Sequence, residues 1–591
     1  MIKNYLIATP IKESLPKNKN NKIVILSESA LINENGFQKK YNKFFVNDSR
    51  WKNNKNFSKD FAYLNKIFER LIILISNQLN SYHKKNFSLR FWKILIGPWL
   101  STFIHIYFER WNNVQSSLEK FKVDKCIFLN LKEEQFIPYD HKNFIYFSQS
   151  DIWNQFLYQK IISVFLNKEK IATKNLPSDI LDKEISNSIL NKFYKAQFLD
   201  YVKKSFMKVF NYFDHKNDTY FLYDTYLGFK NELKLSLKLK QFPIFSLSDD
   251  KKSKKETDYS MRKKVLNSIS KKNKFEKNLF ENINFFFPKI FLENYDDLEN
   301  FSIKSNIPKK PKVIFTSNSL WYDTKMAYHI GKLLDNKKTK LVHGQHGGCF
   351  GLVKHHWPEK HEIEISDKFL TWGWGEKKNN KIKKFYILKN LKKINLKKKN
   401  LMIPLRPRKR YFHSLESSSG IESYTKYISN IGFFLKKLDS SITSNTILRL
   451  PYKNLPIEEV DFYSNLNKKF NFYNADNFNA ACAKSKLIVH ASNSTPFLET
   501  MSANIPTILI LDKYHEVRQE MKFIFKILKE NNIFFNNTNL AAKFINKLWR
   551  ENIDTWWQAN KTQKAIKLFQ DNCVRKNDNI VNECHNLLTK I

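Results

Sequence analysis

Residues 486–501 read KLIVHASNSTPFLETM. The apolar run that ends at His490 has the length and composition of a buried strand, and a short loop of small polar residues follows it. Pro496 suits the first position of a helix, with Thr495 as its N-cap. Because the start of a helix presents free N–H groups and the positive end of the helix dipole, it can bind phosphate without glycine. The stretch therefore predicts an α/β fold with an anion site at the carboxyl end of a strand.

The hydroxyl groups of this loop indicate a ligand. Ser492, Ser494 and Thr495 exceed what a single N-cap requires, so we interpret Ser494 and Thr495 as phosphate contacts. Glu499 lies one turn into the helix, where it could accept hydrogen bonds from ribose hydroxyls. The alternative is an ordinary capped helix in which Glu499 only complements the dipole.

Other short apolar runs are separated by helix-length segments, which indicates parallel sheets built from βαβ units. They are residues 22–27, 126–129, 144–147, 312–316, 340–343, 368–371, 401–404, 446–450 and 506–510. Helical periodicity predicts an insertion between Ser58 and Ser117 and a helical tail over residues 540–591, in which one of Trp556 and Trp557 docks on another domain. The Lys- and Ser-rich residues 249–274 predict a solvated loop.

Glycine and histidine concentrate after the strand at 340–343. Residues 343–351 read HGQHGGCFG and hold four of the 12 glycines in the chain, and five of its 14 histidines lie within residues 343–361. Glycine lets the backbone turn tightly or approach a ligand closely, and neutral imidazole is the usual general base near neutral pH. We predict His346 as a catalytic base or electrophile, with Gly347 and Gly348 where the backbone turns or approaches a ligand.

Two alternatives apply to this loop. It is also compatible with a glycine-rich turn whose histidines are satisfied within the fold. A zinc site through His343, His346 and Cys349 has plausible spacing but lacks a convincing fourth ligand. We therefore predict no metal.

Alternating acids follow at residues 361–367, which read HEIEISD. Glu362, Glu364 or Asp367 could orient a histidine or act as a base, and the same alternation is typical of the outer face of an edge strand. We predict Glu362 as the helper of His346.

Arginines follow two further strands. Residues 406–410 read RPRKR, and a guanidinium group pairs bidentately with phosphate, although a solvated basic loop is equally natural in a chain so rich in lysine. Arg449 lies inside an apolar run, where a charge must be paired or near the end of the sheet. We predict that Arg406 and Arg408 contact a phosphate and that Arg449 contacts a ligand.

Composition narrows the class of protein. The chain has 591 residues, of which 42% are hydrophobic, so two or three domains with packed cores are expected and a disordered chain is excluded. Its 101 Lys and Arg against 56 Asp and Glu give a charge of +45, part of which follows from the residue bias of an AT-rich coding sequence. Five scattered cysteines without CxxC argue against a disulfide framework. No segment predicts a signal peptide or a membrane span, so we expect a cytoplasmic protein.

This arrangement resembles a GT-B glycosyltransferase, in which two Rossmann-like domains face a cleft and the C-terminal one binds the nucleotide of the sugar donor. More closely, the chain resembles transferases encoded in bacterial O-antigen and surface-carbohydrate gene clusters. The segments that carry the resemblance are FWKILIGPWL at 91–100, GQHGG at 344–348, TWGW at 371–374, Ser494-Thr495 with Glu499, and Trp556-Trp557.

The resemblance implies a GT-B-like α/β fold with helical insertions in the N-terminal half. Residues 1–330 would form the acceptor-side domain, residues 331–540 the Rossmann-like nucleotide-donor domain, and residues 541–591 a helical tail that packs back on both. It also implies a metal-independent enzyme without a cofactor. The sequence offers no DxD motif, and its Asp pairs at 249–250 and 296–297 lie in polar stretches that predict little structure.

The implied reaction moves a sugar or sugar acid from a nucleotide-activated donor to a growing surface glycan, free or lipid-linked. Related GT-B enzymes of capsule assembly use CMP-activated ulosonic acids or CDP-activated polyols, so CMP- or CDP-linked donors are favoured and polyol-phosphate transfer is the nearest alternative. Where those enzymes carry His-Pro near the nucleotide, this chain has Leu450-Pro451.

The positive charge leaves other functions open. The run at residues 377–400 contains no acid, and a nucleic-acid-binding protein would carry such a surface, although charge alone supplies only non-specific binding. The same surface could hold a peripheral enzyme on anionic membrane. A scaffold that keeps the fold without activity is the third alternative.

Overall fold

The protein folds as an α/β structure with three parallel sheets, as its computed structural model shows. The predicted fold class, α/β with parallel sheets, is confirmed. The structure describes the whole chain except residues 1, 32–40, 42, 53, 180, 182–212, 245–252, 254, 267–272, 377–378, 390–398, 407–409, 417–423, 451–462, 466–469, 474–477 and 512–514.

The first and third sheets have the strand order of the Rossmann fold. The first has the order β3-β2-β1-β4-β5, with β1 (Asn4–Ile7), β2 (Lys22–Ile25), β3 (Phe44–Val46), β4 (Lys125–Leu129) and β5 (Ile171–Lys174). The third has the order β13-β12-β11-β14-β15-β16, with β11 (Asn400–Pro404), β12 (Thr446–Arg449), β13 (Asn471–Tyr473), β14 (Ser485–His490), β15 (Thr507–Ile510) and β16 (Phe534–Phe535).

The second sheet follows the order of the chain. It comprises β6 (Tyr220–Leu222), β7 (Val313–Thr316), β8 (Lys340–Gly344), β9 (Lys368–Thr371) and β10 (Ile382–Lys384). Its strands therefore come from both sides of the predicted domain limit at residue 330, which also falls inside a helix. The passage from the second sheet to the third lies between residues 384 and 400.

Helices cover these sheets and fill the space between them. They are α1 (Asn54–His83), α2 (Leu89–Lys120), α3 (His141–Phe147), α4 (Asp151–Ile162), α5 (Phe229–Lys238), α6 (Tyr259–Leu266), α7 (Lys274–Asn282), α8 (Tyr295–Lys304), α9 (Ser319–Tyr322), α10 (Thr324–Asp335), α11 (Trp357–Ile365), α12 (Tyr424–Lys436), α13 (Ser440–Thr443), α14 (Phe478–Ala483), α15 (Thr495–Ser502), α16 (Lys522–Glu530), α17 (Thr538–Arg550), α18 (Ile553–Gln558), α19 (Asn560–Cys573) and α20 (Ile580–Thr589).

The predicted helical insertion corresponds to α1 and α2. Helix α2 is buried along most of its length because α1, α4 and α10 all pack on it. Its aromatic side chains, Trp92 and Trp99 among them, belong to the largest hydrophobic core of the protein. Within the described part of the chain, no helix has both the length and the hydropathy needed to cross a bilayer.

Three local predictions are wrong. Residues 144–147 lie in α3, not in a strand, because Asp140 caps a helix there by accepting a hydrogen bond from the backbone N–H of Asn143. Part of the expected solvated loop at 249–274 is α6, which buries Arg262. Asp296 and Asp297 begin α8, whereas Asp249 and Asp250 lie outside the described residues.

The tail is helical as predicted and returns to the second sheet. The indole N–H groups of Trp556 and Trp557 donate to the carbonyl oxygens of Asn531 and Asn504, so both rings pack on the body of the third sheet. The last helix, α20, then packs on the second sheet, where Ile580 shares a core with strands β6 to β9. The tail thus joins the two sheets that form the candidate site.

Candidate active site

His346 and Glu362 form the central pair of the candidate site. His346 lies in the loop after β8, and its Nε2 atom is 2.9 Å from Oε1 of Glu362 on α11. An ionised carboxylate only accepts hydrogen bonds, so Nε2 carries the proton and Nδ1 is the basic atom of the ring. The structure therefore brings the predicted base and its predicted helper together.

The surroundings of His346 raise its affinity for a proton. Burial lowers the pKa of the imidazole, but the charge of Glu362 and the hydrogen bond to it outweigh burial, so the pKa lies above its ordinary value. Asp224, which follows β6, contributes to the rise. Burial also raises the pKa of Asp224, while the charge of His346 opposes that shift. A histidine of raised pKa is suited to accept a proton from a hydroxyl group during a reaction.

His343 lies behind this pair. Its Nε2 atom is 2.7 Å from the carbonyl oxygen of Ser317 and 3.6 Å from Oε2 of Glu362. A carbonyl oxygen only accepts, so Nε2 of His343 is protonated. Burial lowers the pKa of His343, which keeps the ring neutral beside Glu362.

Of the three ligands in the zinc alternative, His343 and His346 lie close together, but Cys349 does not join them. Among the described residues, ligand atoms of His343, His346 and Glu362 lie within 4.8 Å of one another, and Cys349 is outside this group. The sulfur of Cys349 is instead 3.7 Å from Oδ1 of Asn493. A metal on Nε2 of His343 would displace the proton that bonds the Ser317 carbonyl, so the geometry favours an acid–base pair with a supporting histidine.

The predicted phosphate site is the beginning of α15. The helix starts one residue earlier than predicted, with Ser494 as N-cap, Thr495 as the first helical residue and Pro496 in the first turn. The Ser494 side chain makes no capping hydrogen bond, and its hydroxyl is 2.9 Å from that of Ser492. The positive end of the helix is thus not covered by its own cap, which leaves it suited to an anion.

Gly348 brings the loop after β8 onto this helix. A Cβ atom at Gly348 would lie 2.5 Å from the backbone nitrogen of Thr495, so only glycine permits this approach. A Cβ atom at Gly347 would lie 3.1 Å from the ring of Phe350, which fills the other side of the loop. The carboxyl edges of the second and third sheets therefore meet here, where open α/β sheets bind ligands.

Glu499 lies deep in the same region. Its side chain is almost fully buried, and Oε1 is 3.6 Å from the ammonium group of Lys389. Burial raises the pKa of Glu499, and the charges of Lys389 and Arg449 oppose that rise. A buried carboxylate at this place can accept hydrogen bonds from hydroxyl groups of a ligand.

The predicted arginines end neighbouring strands of the third sheet. Arg449 is the last residue of β12, and Arg406 follows β11, which lies between β12 and β14. The Cζ atom of Arg449 is 4.9 Å from the ring centroid of Phe478, and that of Arg406 is 5.0 Å from the centroid of Tyr427. Arg408 lies outside the described residues.

Arg410 of the same basic motif points elsewhere. Its Nη1 atom donates to Oδ2 of Asp151 at 2.8 Å, and its Nε atom donates to the carbonyl oxygen of Ser29 at 3.0 Å. Both partners belong to the N-terminal part of the chain. Arg410 therefore links the chain that follows β11 to residues near the first sheet.

Sequence reasoning missed three residues of the site, which are Asp224, Tyr226 and Lys389. Asp224 and Tyr226 have φ angles of 51° and 69°, a left-handed conformation that is uncommon for residues other than glycine. Tyr226 is hydrogen-bonded to Thr495, and burial raises its pKa to about 12. The ammonium group of Lys389 is 5.8 Å from its ring centroid. The only signal was the polar turn after the short aromatic run at 220–223.

The fold and the site define an α/β protein in which a hydrogen-bonded His–Glu pair includes a residue of the loop that packs, through Gly348, on the start of a helix of another sheet. The chain belongs to the LIC12162 family of transferases, whose family model, described as LIC12162 family transferase, matches residues 4–588. No curated protein matches the chain significantly.

Part of the chain aligns with solved glycosyltransferase structures, among them those of GtfA and WaaG. The pneumococcal O-GlcNAc transferase GtfA, in complex with UDP and GlcNAc, aligns with 52% of this chain and 60% of its own at 11% identity and a TM-score of 0.32. WaaG, a glycosyltransferase involved in lipopolysaccharide biosynthesis, aligns with 52% of this chain and 82% of its own at 11% identity and a TM-score of 0.26. The chain thus spans less than two thirds of GtfA.

Proposed function

We propose that this transferase is a glycosyltransferase that moves a sugar or sugar acid from a nucleotide-activated donor to a bacterial surface glycan. The observation that carries the proposal is the contact between the loop of His346 and the start of α15. Gly348 of that loop lies directly against the backbone of Ser494 and Thr495. A base on one sheet and an anion site on another are the two parts that such a transfer needs.

The donor half of the site is the third sheet. The start of α15, with Ser494 and Thr495, would hold the phosphates of the donor, and Arg406, Arg408 and Arg449 would add positive charge. Negative charge grows on the leaving nucleotide as its bond to the sugar breaks, so these groups stabilise the transition state. Glu499 would bind the ribose hydroxyls. Gly347 and Gly348, in the loop that packs on this helix, would contact the donor through their backbone.

The acceptor half is the loop after β8. Nδ1 of His346 takes the proton of an acceptor hydroxyl while the hydroxyl oxygen bonds to the anomeric carbon of the sugar, and the bond between that carbon and the phosphate oxygen breaks. His346 becomes charged in this step. Glu362, bonded to Nε2 at 2.9 Å, stabilises the imidazolium and fixes the orientation of the ring.

The nature of the partners is part of the proposal. The resemblance of the sequence to capsule enzymes favours a CMP- or CDP-linked donor, and polyol-phosphate transfer is the nearest alternative. A lipid-linked acceptor would place the enzyme on the inner face of the cytoplasmic membrane, where a chain of charge +45 is attracted to anionic lipid.

The test is thermal stability of the purified protein with CMP, CDP, UDP, GDP or a short DNA duplex. A ligand bound only by the native state raises the melting temperature, so one nucleotide should do so and Thr495→Ala or Glu499→Ala should abolish the shift. Thr538→Ala is the matched control, because Thr538 is likewise the first residue of a helix, α17. A salt-sensitive shift with DNA and none with any nucleotide would overturn the proposal in favour of nucleic-acid binding.

A further inference from the structure

Helix α2 holds α11, the helix that carries Glu362. Arg90, Lys93 and Gly97 are spaced three and four residues apart and so lie on one face of α2. The Nε atom of Arg90 donates to the carbonyl oxygen of Ile365 at 2.8 Å, and Lys93 pairs with Glu364. Two charged contacts thus fix the last turn of α11 against α2.

Gly97 adds a third contact between α2 and α11. Because it has no side chain, it leaves a notch in the surface of α2 that receives His361 of α11. A Cβ atom there would lie 2.7 Å from Cε1 of His361 and 3.2 Å from its Nε2, so the imidazole occupies the space that a side chain would need. The ring also stacks on Trp357 with a centroid distance of 4.5 Å, and Phe68 meets it edge-on. The notch lies within FWKILIGPWL, a segment whose role the proposed reaction leaves unexplained.

His361 contributes packing contacts there. Neither ring nitrogen finds a hydrogen-bond partner among the described residues, and burial lowers the pKa of the ring to about 3. A neutral polar ring without partners costs free energy in a core. Packing against Gly97, Trp357 and Phe68, and not hydrogen bonding to described residues, therefore holds the ring.

Successive side chains on an α-helix point about 100° apart, because a turn takes 3.6 residues. When His361 sits in the Gly97 notch, Glu362 is therefore turned away from α2 and toward His346, where its Oε1 atom is found. We propose that Gly97 and His361 are positioning residues that set the rotation of α11 and thereby hold Glu362 on His346. This inference rests on the proposed role of His346 as base.

The test introduces a methyl group into the notch with Gly97→Ala. We expect the pKa of His346 to fall, because Glu362 no longer supports its charged form, and kcat to drop by about tenfold or more while the donor KM stays within about twofold. NMR titration of protein labelled with ¹³C-histidine, with the His346 signal assigned through His346→Gln, measures this pKa. The titration needs no activity, so it remains decisive if the proposed transfer fails.

Two further variants make the outcome specific. In Gly97→Ala with His361→Ala, the methyl group has room, so we expect the pKa of His346 to lie closer to that of the wild type than in Gly97→Ala and to equal that of His361→Ala alone. Gly331→Ala is the matched control, because a Cβ atom there would meet Phe91 of the same helix α2 at 3.0 Å, away from α11. It should lower the melting temperature and leave the pKa unchanged. The inference is overturned if Gly97→Ala behaves like Gly331→Ala, or if the double variant is no closer to the wild type.

His361→Ala alone covers the case in which Gly97→Ala does not fold. It removes the ring and leaves the notch empty, so α11 loses its packing contact in the notch and keeps only the two charged contacts with α2. We expect the pKa of His346 to fall here too. A titration identical to that of the wild type would contradict the inference.

Discussion

Nε2 of His346 lies 2.9 Å from Oε1 of Glu362, and the carboxylate reaches it from a helix rather than from the edge strand that alternating acids also allowed. On a helix, residues two apart point about 200° from each other. Glu362 therefore turns to His346, while Glu364 turns to Lys93. The two alternating acids therefore do not form one polar face. Glu362 makes a candidate catalytic contact with His346, and Glu364 makes a structural contact with Lys93.

Replacing Glu362 by Gln should lower kcat by about 10² and leave the donor KM nearly unchanged. The amide keeps the shape of the side chain but cannot stabilise the imidazolium that forms when His346 takes a proton. Release of free nucleotide from an activated donor measures the rate. Glu530→Gln, which alters an exposed pair on α16, is the control and should keep full activity. Equal rates for the two variants would refute the role of Glu362.

The pH profile should report the same contact. His346 must be neutral to act as a base, so kcat/KM falls as the pH drops through its pKa. Because Glu362 raises that pKa above 6.5, the midpoint of the acid limb should lie above pH 6.5 in the wild type and move to lower pH in Glu362→Gln. His355→Gln, in the same histidine cluster, should leave the midpoint in place. Superimposable profiles for the wild type and Glu362→Gln would contradict this assignment.

The sequence predicted most strands because buried parallel strands are continuous apolar runs. Residues 340–343 and 486–490 are of this kind, and β8 and β14 are found there. The run at 144–147 has the same composition but forms a helix, since four residues fit either structure and the cap at Asp140 decides.

The candidate site was predictable only in part for a related reason. His346 and Thr495 follow strands, and such loops gather at the carboxyl edges of parallel sheets. Asp224 and Tyr226 follow β6, a strand of three residues that is too short to stand out in the sequence. The contact between the two loops depends on how separate sheets pack, which no local pattern records.

The stretch predicted as a solvated loop should prove important for stability. Arg262 on α6 is fully buried, and its Nε and Nη2 atoms donate to the carboxylate of Glu293 at 2.6 and 2.8 Å. Arg262→Ala leaves that buried carboxylate without its cation, so we expect a loss of about 3–5 kcal/mol in the free energy of unfolding, measured in urea. Its exposed neighbour provides the control, since Lys263→Ala should change stability by less than about 0.5 kcal/mol.

Removal of divalent metal should not affect turnover. In the proposed reaction the start of α15 and Arg449 stabilise the leaving phosphate, and these groups supply the positive charge that a bound metal would otherwise provide. The proton on Nε2 of His343 is held by the Ser317 carbonyl at 2.7 Å, which leaves that nitrogen no lone pair for a ligand bond. We therefore expect equal rates before and after dialysis against EDTA, with less than stoichiometric metal by elemental analysis.

A rate that falls on chelation and returns with one particular divalent ion would instead make His343, His346 and Glu362 the ligands of that ion, since they are the described group with suitable spacing.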